Sequence, residues 1–83
     1  MEKQSRIAVI GIVVQSRGES ARKLNEILSS FADIIVGRMG IPYKERNVSV
    51  ISIIVDGTND EIGALAGKLG NINGVKVKVA LTY

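Results

Sequence analysis

The chain has 83 residues, a formal charge of +3 from 11 basic and 8 acidic side chains, and neither cysteine nor histidine. Its length fits one domain. The missing thiols and imidazoles exclude disulfides, the usual zinc, nickel and copper ligand sets, and every histidine-based catalytic dyad or triad.

Residues 1–5 are polar and are expected to form a frayed tail. Lys3 and Arg6 precede an eight-residue apolar run, Ile7–Val14. No small-residue cleavage site follows, and the run is too short to span a bilayer, so a core strand and a cytoplasmic protein are expected. Ile7, Val9 and Val13 fall on one parity and Ala8, Ile10, Ile12 and Val14 on the other, as in a strand covered on both faces. Ser16-Arg17-Gly18-Glu19 then reads as a capping box with Ser16 as N-cap. Ala21, Leu24, Ile27/Leu28 and Phe31 recur at helical spacing, so a helix to about Ser30 is expected, with Arg22 and Glu26 one turn apart.

A second strand is expected over Ile34–Met39, followed by a loop over 40–47 that holds the only proline, Pro42. Val48–Val55 is a third strand, again apolar on both parities apart from Ser49 and Ser52. Thr58 to Glu61 repeats the capping-box pattern ahead of a helix with the stripe Ile62, Leu65, Ala66 and Leu69, which Gly70 would stop. Gly63 and Gly67 weaken that helix and would permit close packing. Asn73-Gly74 is a turn signal. In the last strand Val75, Val77, Val79 and Leu81 alternate with Lys76, Lys78, Ala80 and Thr82, as for an edge strand with one buried face.

The order is β-α-β-β-α-β, and the halves repeat at an offset of 41: Ile10 falls on Ile51, Leu24 on Leu65, Leu28 on Leu69 and Val36 on Val77. Two split halves of this kind predict an α+β ferredoxin-like fold, a four-stranded antiparallel sheet of order 4-1-3-2 with both helices on one face. The two strands that are apolar on both parities would be central. Helices cover only one sheet face, so the other face is expected to meet a second copy of the chain.

Few residues carry chemistry. Gln15-Ser16-Arg17-Gly18, at a strand end and helix N-terminus, could hold an anion on free backbone N–H groups, or could simply cap the helix. Gly37-Arg38-Met39-Gly40 matches the G-x-x-G of KH modules but lies in or beside a strand, where a bulge or close approach explains it better. Asp56, Asp60 and Glu61 fit no calcium loop, and the serines have no base nearby in sequence. Residues 1–46 hold eight of the basic and five of the acidic side chains, too diffuse for a nucleic-acid stripe.

Ile10-Gly11-Ile12-Val13-Val14 with Ser16 and Glu19-Ser20-Ala21, Ile34–Pro42, Ile51–Thr58 and Gly67-Lys68-Leu69 together resemble the small family of iron-only hydrogenase system regulators. The resemblance covers nearly the whole chain, and 37–42 is its most specific part. It implies an ACT-like ferredoxin fold over 1–83, similar to the C-terminal regulatory domain of the nickel-responsive transcription regulator. That regulator binds nickel through histidines and a cysteine, absent here, and carries a DNA-binding segment ahead of the domain, where this chain has five polar residues. Nickel sensing and operator binding are therefore not expected to transfer. The resemblance further implies side-by-side or face-to-face assembly, as a dimer or tetramer, and effector pockets at subunit interfaces. ACT-type domains bind amino acids where the first strand meets the first helix, which by position is Gln15, Ser16, Arg17 and Gly18.

The expected function is a non-enzymatic, cytoplasmic, homo-oligomeric regulatory domain that binds a small effector or partner, with no catalytic residue, cofactor, metal or membrane contact. Two other classes stay open. Acylphosphatases share this fold and an arginine after the first strand, as Arg17 is here, although their surrounding loop is missing. A DNA-binding regulator is the other.

Overall fold

A computed structural model describes residues 4–15 and 18–83. In chain order the elements are β1 (Arg6–Gln15), α1 (Glu19–Ser30), β2 (Ile35–Tyr43), β3 (Val48–Gly57), α2 (Asn59–Gly70) and β4 (Val75–Leu81). Short 3-10 turns at Ala32–Ile34 and Lys44–Arg46 flank β2. The strands form one antiparallel sheet ordered β2-β3-β1-β4, the expected 4-1-3-2 order read from the opposite edge.

The strands that are apolar on both parities are indeed central. β1 pairs with β3 from Arg6↔Gly57 to Gln15↔Val48, and residues directly opposite share a face. Ala8, Ile10, Ile12 and Val14 therefore join Ile51, Ile53 and Val55 under the helices, where all are buried. From above, α1 contributes Leu24 and Leu28, and α2 contributes Ile62, Leu65 and Leu69. Gly57 ends β3 beneath Ile34. A Cβ there would sit 3.2 Å from Ile34 Cγ2 and 3.0 Å from Glu61 Oε1, so the strand closes on a residue without a side chain.

Local signals are met at the second helix. Thr58 caps α2: its hydroxyl accepts from the Glu61 N–H at 3.1 Å, and Glu61 Oε1 accepts from the Thr58 N–H at 2.8 Å. Arg22 and Glu26 pair at 2.8 Å on α1. Gly74 takes a positive φ of 81° in the turn before β4.

Five expectations change. The N-cap of α1 is Gly18, with no side-chain cap, so Glu19 opens the helix; Ser16 lies outside the described residues. β2 runs on to Tyr43, through the stretch expected to be a loop. It can include Pro42 because an edge strand leaves one row of N–H groups unpaired. The strand also starts one residue later than expected, because Ala32–Ile34 forms the 3-10 turn. In β4, burial fades along the strand: Val75 is buried, while Val79 and Leu81 are 40% and 47% exposed, since the helices do not cover its far end. Gly63 and Gly67 lie on the exposed side of α2, and an added Cβ would meet nothing within 4 Å, so they permit no close packing within the chain.

Candidate functional site

Of the residues singled out at the turn between β1 and α1, Gln15 and Gly18 can be placed; Ser16 and Arg17 lie outside the described residues. Gln15 ends β1, and its backbone N–H donates to the Gly74 carbonyl at 3.4 Å. Ser20 Oγ donates to the Asn73 carbonyl at 2.5 Å, so this turn is tied to the turn that precedes β4. Gly18 has φ 84° and ψ −154°, a region open essentially to glycine alone. Glu19 brings a carboxylate to the first turn of α1, where it complements the helix dipole. Its carboxylate bonds Arg22, and this hydrogen bond, with the charges of Glu19 and Glu26, holds the guanidinium above its usual pKa.

The second candidate is the sheet face opposite the helices. Register places Ile7, Val9, Gly11 and Val13 of β1 there, with Val50, Ser52 and Ile54 of β3. Gly11 and Ser52 stand opposite each other at the centre, flanked by Val9–Ile54 and Val13–Val50. A Cβ on Gly11 would meet nothing within 4 Å, so the centre of this face is a shallow open trough. β4 contributes Lys76, Lys78 and Ala80 along one edge.

β2 completes the face by an irregularity. Ile35 pairs with Val55, yet Gly37 pairs with Ile54, so Val36 is an extra residue in a β-bulge. One inserted residue reverses the parity of everything after it. Met39, Ile41 and Tyr43 consequently point to the open face, opposite Ser52, Val50 and Val48, while Arg38, Gly40 and Pro42 take the helix side. An ordinary edge strand would do the reverse, apolar inward and polar outward. Seven large apolar side chains are thereby exposed on one face: Ile7, Val13, Met39, Ile41, Tyr43, Val50 and Ile54. Reading 40–47 as a loop missed two of them, Ile41 and Tyr43. The signal was the period-two spacing of Met39, Ile41 and Tyr43.

The remaining motifs settle into structural roles. Gly37 to Gly40 lies within β2 and spans no helix–helix junction, so the KH-like match has no KH context, and the bulge expected there is present. Glu61 belongs to the α2 cap, and among the described residues no acidic cluster is arranged to hold a metal. No helix among them is long and apolar enough to cross a membrane.

The solved structure of an uncharacterized protein, TM1266 from Thermotoga maritima, superimposes with a TM-score of 0.94 at 40% identity, over 96% of this chain and all of that one. The ACT domain of the GTP pyrophosphokinase of Chlorobium tepidum aligns over 92% of this chain and 99% of that chain, with a TM-score of 0.76 at 19% identity. A formyltetrahydrofolate deformylase from Pseudomonas putida matches 89% of this chain over 28% of its own, with a TM-score of 0.64 at 9% identity. The last two similarities establish the ACT-like fold and nothing finer. No curated protein matches at a significant level. Residues 6–79, from the first residue of β1 nearly to the end of β4, fit one family model, and the chain therefore belongs to the TM1266-like family, whose proposed role is that of an iron-only hydrogenase system regulator.

Proposed function

We propose that the chain is a cytoplasmic, non-enzymatic regulatory domain of an iron-only hydrogenase system. It works as a homo-oligomer joined through its open sheet face. The carrying observation is the bulge at Val36, which spends an inserted residue to aim Met39, Ile41 and Tyr43 away from the core. An apolar patch on that scale is the mark of a contact surface. Family membership and the ACT-like fold support the regulatory reading. A small effector or a partner protein at the subunit interfaces would act by binding one assembly state better than another. The turn at Gln15, Ser16, Arg17 and Gly18 is proposed as a contact for it.

Mass in solution tests the assembly. Light scattering at micromolar concentration should give a multiple of the chain mass. Ile54→Lys, at a half-exposed position in the middle of the patch, should reduce it to one chain with an unchanged circular dichroism spectrum. A parent protein that is strictly monomeric overturns the proposal.

A further inference from the structure

The bulge has a second consequence, on the opposite side of β2. Arg38 stands opposite Ile53, and Gly40 opposite Ile51, so both lie on the helix side of the sheet. An apolar edge residue would normally fill the space beside a helix there. Here Gly40 supplies no side chain, and a groove of about 260 Å³ stays open between α1, β2 and β3.

The groove has two kinds of wall. Leu24 of α1 and Ile51 of β3, both buried core residues, form an apolar part. Arg38, Asn25 of α1 and Ser49 of β3, which carry a guanidinium, a carboxamide and a hydroxyl, also line the groove. None of these three side chains has a hydrogen-bond or ion-pair partner among the described residues. Arg22 of α1 is by contrast held by two carboxylates.

We propose that this groove binds a short aliphatic monocarboxylic acid. The Arg38 guanidinium takes the carboxylate through paired N–H donors, the geometry at which arginine excels. Asn25 and Ser49 supply further donors, and the aliphatic tail lies against Leu24 and Ile51. At roughly 30 Å³ per water molecule the space holds about nine non-hydrogen atoms, which limits the ligand to a short chain. Inorganic phosphate would satisfy the guanidinium but leave the apolar wall empty. The groove is complete within one chain and lies on the sheet side opposite the proposed interface. It goes beyond the assembly reading and stands or falls separately from it.

The test is titration of the 15N-labelled full chain with 4-methylpentanoate, followed by amide chemical shifts, with mass measured on the same samples. Saturable shifts centred on Gly40 and Ser49 are expected. Arg38→Gln should weaken binding by about tenfold or more, as should replacing the acid by the isosteric neutral 4-methylpentanamide. Acetate, which lacks the tail, should bind more weakly than the parent acid. Gly40→Val should fill the groove and abolish the shifts; if that variant misfolds, Arg38→Gln, at an exposed site, decides alone. No saturable shift up to about 20 mM overturns the proposal, as does equal binding of the amide or of inorganic phosphate, or indifference to Arg38→Gln. Binding by a monomeric sample would uphold the groove and reject the assembly. An oligomer that ignores the acid would do the opposite.

Discussion

Replacing Gly63 and Gly67 by alanine tests which layer of the molecule faces solvent and which faces a partner. Both glycines lie inside α2, at exposed positions four residues apart, and neither has a positive φ. A Cβ at either meets no atom within 4 Å, so the substitution carries no steric cost within the chain. What remains is helix propensity and a less flexible unfolded chain, about 1 kcal/mol for each site. The double variant should therefore gain about 2 kcal/mol. For a domain of this size each kcal/mol raises Tm by about 4–8 °C, so the melting point should rise by roughly 8–16 °C. The urea midpoint should rise in step with an unchanged slope. Light scattering on the same samples should show the parent mass. A lower Tm, or a loss of assembly, would mean that the back of α2 packs closely against another copy. The interface would then be the helix layer, and the argument from the open sheet face would be refuted.

The two helix starts predict different sensitivities. Thr58→Ala removes a reciprocal cap and should cost about 1 kcal/mol in chemical denaturation. Gly18→Ala forces a side chain into a glycine-only conformation and should cost roughly 1–3 kcal/mol by the same measurement, although it removes no side-chain contact. Leu65→Ala, at a fully buried site under α2, should cost about 2–5 kcal/mol, a large share of the stability of so small a domain, and should be read from the urea midpoint.

The contrast between Ser16–Glu19 and Thr58–Glu61 shows how far local pattern carries. Both stretches read as capping boxes; the second forms one, whereas the N-cap at the first helix is Gly18 and Ser16 lies outside the described residues. The first is displaced because Gly18 occupies the N-cap position in a conformation that letter spacing does not reveal. The candidate turn was legible as a strand end next to a helix start. The groove at Arg38 was not, because it depends on which way a strand faces after a bulge. Pro42 misled in a different way: it excludes a central strand only, and the predicted order 4-1-3-2 already put the second strand at an edge, where a proline is tolerated.

Apolar residues on both parities of β1 and β3, helical spacing in α1 and α2, and the offset of 41 between halves were sufficient to determine the element order and the central pair of strands. These are periodic signals, written in the chain because each element must bury one stripe or two faces. Tertiary structure alone decided the rest. Whether Met39 or Arg38 faces the helices turns on a single inserted residue, and the exposure of Val79 and Leu81 turns on where two helices end over a neighbouring strand. Alternation along a strand shows that two faces differ. Which of them meets the core is settled by pairing with a strand distant in sequence.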